Sequence, residues 1–122
     1  MSPDGAGRVT VDRTGPTLWI VELTGEHDLS TVARIQDELT AIFEQGTTLV
    51  VDLSAVTFMD SSVLRELIVA HRRAEANDDE RLVLVAPAAG FAARLMEMVN
   101  VRDTFSPYET RAEALRALEP QA

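Results

Sequence analysis

The residues with the most chemical potential lie in one short run, Asp60-Ser61-Ser62, joined to an upstream acidic loop, Gly25-Glu26-His27-Asp28. Aspartate and serine are good helix N-caps, because their side-chain oxygens accept orphan N–H groups of the first turn. That is the plain structural reading of the triplet. The same placement exposes a hydroxyl at the positive end of a helix dipole. A phosphate there accepts backbone N–H bonds and gains about 0.3–1 kcal/mol from the dipole. It also adds about −1.5 to −2 charges beside Asp60 and Asp28. A docked partner would then meet a dianion in place of a neutral hydroxyl, which makes a switch of association.

Other chemistry is poorly served. His27 and His71 are the only histidines, and the chain has no cysteine, so neither thiolate catalysis nor a metal site with thiolate ligands is available. His71 follows Ser62 by nine positions on one predicted helix, roughly 13 Å at about 1.5 Å per residue, far beyond hydrogen-bond reach. The pattern reads His27 as a loop histidine and His71 as a partly packed helix histidine. No Gly-rich phosphate loop, H-E-x-x-H or G-x-S-x-G occurs. No metal or cofactor is expected.

The Asp60 run is flanked by segments whose periodicity marks strands and helices. Val9–Asp12 alternates like a half-buried strand, Thr14-Gly15-Pro16 is a turn, and Thr17–Leu23 is β-branched and aromatic, so the two runs predict an antiparallel hairpin. Gly25 is expected to end the second strand, leaving residues 25–28 as a polar loop. Val32, Ile35, Leu39, Ile42 and Phe43 form one helical stripe, predicting a helix over Val32–Gln45 capped by Ser30 or Thr31 and closed by Gly46. Thr48–Leu53 is nearly all apolar, as in a strand covered on both faces. Val56–Met59 follows, and then a helix over Ser62–Glu75 with Val63, Leu64, Leu67, Ile68 and His71 on or near its buried side. Asn77–Glu80 reads as a solvated acidic loop. Leu82–Ala86 predicts a further strand, Ala88–Val99 a helix, Thr104–Ser106 a short strand and Thr110–Leu118 a last helix. Met96 and Met98 are expected to pack or to face a partner. Strands that alternate with helices become parallel neighbours through right-handed crossovers. The fold class is therefore α/β, a small mixed sheet with helices packed against it.

Length and composition agree. The 122 residues suit one domain, expected over 8–118, with a flexible leader at 1–7 and a short tail at 119–122. A net charge of −9 disfavours nucleic acid. No apolar run reaches the ~20 residues that span a bilayer, so no membrane insertion is expected, and the leader lacks an apolar signal core, which points to the cytoplasm.

The chain resembles the STAS family, and within it the bacterial anti-sigma factor antagonists, over about residues 8–118. The resemblance rests on Leu23-Thr24-Gly25-Glu26-His27-Asp28, on Val50–Ser62, on Leu82–Val85, on Ala92–Met96 and on Glu113-Ala114-Leu115. It implies a protein that is a kinase substrate and not an enzyme. Its partner would be an anti-sigma factor that is also a serine kinase, released by phosphorylation, with a serine phosphatase resetting the cycle. By motif position the acceptor is Ser61, with Ser62 second, and Asp28, Asp60, Val63 and Arg65 form the phosphosite environment and partner-binding surface. A STAS module that is never phosphorylated, acting as a scaffold or transport-complex subunit, is the alternative. Two features depart from the family pattern: Val63-Leu64-Arg65 stands where Gly-Leu-Gly is usual, and His27 replaces an apolar residue.

Overall fold

In the computed structural model, which describes residues 7–119, a four-stranded sheet runs in the order β1-β2-β3-β4. β1 (Arg8–Arg13) and β2 (Leu18–His27) pair antiparallel from Arg8↔Thr24 to Arg13↔Trp19. β2 then pairs parallel with β3 (Thr48–Met59), and β3 with β4 (Arg81–Val85). α1 (Leu29–Phe43) and α2 (Ser61–Glu75) make the crossovers, and α3 (Phe91–Met98), the single turn α4 (Arg102–Phe105) and α5 (Arg111–Ala117) complete the chain.

Alternation along β3 explains its apolar run. Leu49, Val51 and Leu53 join the main core with Ile35, Leu39, Leu64, Leu67 and Met96, on the face covered by α1, α2 and α3. Val50 points the other way, into a smaller cluster with Ile20, Val85 and Ala114 beneath α5. Both faces are covered, so the run needs no polar alternation.

Several boundaries differ from the sequence pattern, each for a local reason. β2 does not end at Gly25. Gly25 takes a positive φ of 79° and the strand continues to His27, while β3 holds extra residues at two register shifts, between the partners of Glu22 and Thr24 and of Gly25 and Glu26. Those bulges let one strand of 12 residues replace the two separate runs. Asp28, not Ser30 or Thr31, caps α1, which therefore starts earlier. The Gly46 reading agrees with its φ of 57° just past α1. α3 begins at Phe91 rather than Ala88, because Gly90 N–H closes a turn onto the Pro87 carbonyl at 2.8 Å.

The predicted strand at 104–106 is a helical turn instead. Phe105 is buried, with its ring edge-on to His71 at 5.1 Å, and Ser106 leaves the turn at a φ of 44°. The only pairing beyond β4 among the described residues is the Val85–Tyr108 bridge. Asn77–Glu80 is not wholly solvated either, since the Glu80 side chain is 7% exposed and accepts from Arg73 at 3.1 Å. Met96 is core, whereas Met98 is exposed.

Of the expected leader, residues 1–6 lie outside the described residues, as do 120–122 of the tail. Gly7 is described and is closely held. A Cβ there would stand 2.2 Å from the Glu26 carbonyl oxygen and 2.8 Å from the His27 ring.

Candidate functional site

Asp28 and Asp60 follow neighbouring strand ends because β2 and β3 run parallel. His27 pairs with Met59 at the C-terminal ends of β2 and β3, and Asp60 N–H donates to the His27 carbonyl at 3.1 Å. Asp28 and Asp60 therefore leave adjacent strand ends, each directly before a helix. The C-terminal edge of parallel strands is where α/β sheets commonly place their sites.

Each aspartate caps its helix in the same way. Asp28 Oδ1 accepts from Ser30 N–H at 2.9 Å and from the Ser30 hydroxyl. Asp60 Oδ1 accepts from Ser62 N–H at 2.9 Å and from the Ser62 hydroxyl. For Asp28, the Ser30 hydroxyl and then the Ser30 N–H hold the carboxyl below its ordinary range, so it stays anionic. A third Asp-x-Ser turn sits in the β3 bulge, where Asp52 Oδ1 accepts from Ser54 N–H at 2.9 Å and from its hydroxyl at 2.6 Å.

This geometry separates the two candidate hydroxyls. Ser62 is half-buried and its hydroxyl is spent on Asp60. Ser61 opens α2, is exposed, and its hydroxyl has no partner among the described residues. Arg65 lies one turn further along α2, exposed and equally unpaired among the described residues, at the i,i+4 spacing that lets side chains meet.

Val63 requires a correction. Its side chain is 0% exposed and belongs to the main core, because the third residue of α2 faces the sheet. It cannot touch a partner. His27 is also not a loop residue. It is fully buried at the end of β2, with Nε2 3.0 Å from the Thr24 carbonyl oxygen and Nδ1 3.1 Å from Thr31 Oγ1. Burial pushes its pKa below the ordinary imidazole value, against the opposing pull of the Thr24 and Arg8 carbonyls and of Asp28.

Apolar side chains that sequence reasoning passed over flank the site. Leu29, next to Asp28, is 73% exposed, and Phe58, two residues before Asp60, is 42% exposed. Phe58 meets Phe91 of α3 at 5.4 Å. Large apolar groups left open beside a polar centre are a common mark of a protein-binding surface. The available signal was position, since both residues adjoin the acidic caps. His71 lies elsewhere on α2, 3.1 Å from Glu75. No group of three or more histidine or carboxylate side chains is placed to hold a metal among the described residues. No helix among them is long and apolar enough to cross a membrane.

A family model described as Mlab, STAS domain matches residues 5–106. The chain belongs to the STAS domain family. Solved structures agree on the fold. An anti-sigma factor antagonist from Mycobacterium paratuberculosis superposes with a TM-score of 0.82 at 25% identity, covering 96% of this chain and 97% of that one. The unphosphorylated anti-sigma factor antagonist SpoIIAA gives 0.68 at 23% identity, over 91% and 97% of the two chains. The phosphorylated form of the Bacillus cell fate determinant SpoIIAA gives 0.72 at 20% identity, over 92% and 100%. No curated protein sequence matches. As the resemblance in the motifs implied, this is a STAS-type α/β sheet with its neighbours among the anti-sigma factor antagonists.

Proposed function

We propose that this STAS domain is an anti-sigma factor antagonist of the cytoplasm, switched by phosphorylation of Ser61. The unphosphorylated chain binds an anti-sigma factor that is also a serine kinase and so frees a sigma factor. Phosphorylation releases the pair, and a serine phosphatase restores the hydroxyl. The domain is a substrate and a binding partner here, not an enzyme.

The observation that carries this reading is the free Ser61 hydroxyl at the first position of α2, between an acidic cap whose own serine is engaged and an exposed apolar rim. Leu29 and Phe58 supply contact area, and Asp28, Asp60 and Arg65 supply charge. A dianion at Ser61 would sit inside that contact. Desolvating it costs tenfold in affinity for each ~1.4 kcal/mol.

Phosphopeptide mapping of the protein taken from its own cells under varied stress tests the reading. One added phosphate at Ser61, absent from Ser61→Ala, supports it. In binding assays with the captured anti-sigma factor, Ser61→Asp is expected to weaken the complex tenfold or more. No phosphate under any condition would transfer the reading to the second one, a constitutive STAS module serving as a scaffold or transport-complex subunit. That alternative draws on Arg65, a charged and exposed residue where the family pattern has glycine.

A further inference from the structure

The most heavily built residue of the site is one the switch does not use. His27 is fully buried, yet both ring nitrogens and its carbonyl are engaged. A carbonyl oxygen only accepts, so Nε2, facing the Thr24 carbonyl, must carry a proton. In the neutral ring, Nδ1 is then a bare acceptor, and the Thr31 hydroxyl donates to it. Thr31 Oγ1 also stands 3.1 Å from the Asp28 carbonyl oxygen, a second acceptor for its single proton. When Nδ1 gains a proton it donates to Thr31 Oγ1, and the Thr31 hydroxyl turns to the Asp28 carbonyl. Both protonation states are satisfied by one arrangement of heavy atoms.

We propose that His27 is a positioning residue that couples the two acidic caps, and that its protonation re-aims the Thr31 hydroxyl from the ring to the Asp28 carbonyl. The ring braces the first turn of α1, while the His27 carbonyl holds Asp60 N–H, the entrance to α2. A change at the ring is therefore felt at Asp28 and at Asp60 alike. The groups facing the ring are few. β2 brings the Thr24 carbonyl, β1 the Arg8 carbonyl, its preceding residue Gly7 the backbone packed on the ring, and α1 the Thr31 hydroxyl; Asp28 supplies the charge. Burial disfavours the cation, so the protonated state is reached only on acidification below the ordinary histidine range. The proposal deepens the Ser61 reading, because a cation at His27 and a dianion at Ser61 would favour each other by linkage. Its test needs no kinase and stands even if Ser61 is never phosphorylated.

The test is a pH titration of the isotopically labelled full chain by NMR from pH 8 to 5. The ring nitrogen shifts of His27 are followed together with the amides of Ser30, Thr31, Asp60 and Ser61. Expected is the Nε2–H tautomer at pH 8, and one shared midpoint for the ring and all four amides. In Thr31→Val, which keeps the shape and loses the hydroxyl, the ring still titrates, but Ser30 and residue 31 no longer follow it. His27→Gln, whose amide can donate to Thr24 and accept from Thr31, is expected to keep the wild-type amide pattern at pH 8 and to lose the pH response. A ring that stays neutral to pH 5, an Nδ1–H tautomer, or Asp60 and Ser61 amides that ignore the ring titration would overturn the proposal.

Discussion

Ser62 donates both its N–H and its hydroxyl to one oxygen of Asp60, leaving Ser61, the preceding residue, as the unengaged hydroxyl at the start of α2. The two serines are therefore expected to respond differently to alanine. Ser61→Ala should abolish phosphate incorporation with little change in stability, since an exposed side chain without a partner is removed. Ser62→Ala should retain incorporation and cost about 1 kcal/mol for one lost hydrogen bond. Phosphopeptide mapping and urea denaturation of the two variants check this, and incorporation that survives in Ser61→Ala would sink the assignment.

The family-like glycines give a second expectation. Val63→Gly should not open a docking surface, because Val63 is wholly buried among the main core residues. It removes a packed side chain and places glycine in a helix, which together cost about 3 kcal/mol. Arg65→Gly, on the exposed face, should cost only about 1 kcal/mol, the helix-propensity difference. The denaturation midpoints of the two variants should separate accordingly. Equal midpoints would contradict the placement of Val63.

Gly7 is expected to tolerate no side chain. A Cβ at this position meets the Glu26 carbonyl oxygen at 2.2 Å and the His27 ring at 2.8 and 2.9 Å, and a backbone oxygen cannot step aside. Gly7→Ala should cost about 2 kcal/mol, within the usual range for overpacking. The loss should show in hydrogen exchange as faster opening of Val9–Val11 against Leu23–Val21. Unchanged protection there would mean that Gly7 does not seat the start of β1.

Much of this was readable from the sequence, and what was not has a physical pattern. The hairpin, the helix stripes and the continuous apolar run of β3 are set by local periodicity, and so survived intact. Asp60 was legible as a cap by type and place, and Ser61 and Asp28 were singled out by the family motif, whereas Ser30 or Thr31 had been expected in the capping place that Asp28 takes. His27 was missed because a histidine after glycine and glutamate looks like loop, and only pairing with β3 carries β2 past Gly25. The helical stripe had placed Val63 on the buried side of α2, where it lies, and only the family motif set it on the partner surface. Thr104–Ser106 was read as strand because β-branched and aromatic residues favour strands, whereas packing of Phe105 on His71 decided the matter. Arg111 carries no local signal at all. Its partners lie 59 and 89 positions away.

Arg111 Nε donates to Asp52 Oδ2 at 2.7 Å, and its terminal nitrogen donates to Glu22 at 2.9 Å, clasping α5 onto β2 and β3. Burial alone would raise the Asp52 pKa, but the Ser54 hydroxyl and N–H, with Arg111 behind them, outweigh it and hold the carboxyl below its ordinary range. Its folded pKa thus lies below the unfolded value of about 3.9. The resulting stability is fully present above that value and is lost as pH falls from about 4 through the folded pKa. Arg111→Met should leave the Asp52 carboxylate, 6% exposed, without its cation. The cost is expected at about 2 kcal/mol, below the 3–5 kcal/mol of a fully buried pair, because Arg111 itself is 36% exposed. Above pH 5 the variant should unfold at lower urea than the wild type, and the gap should narrow as pH falls below about 4 and Asp52 takes up a proton, in the variant before the wild type. A gap that stays constant across that range would show that Arg111 acts by packing and not through the Asp52 charge.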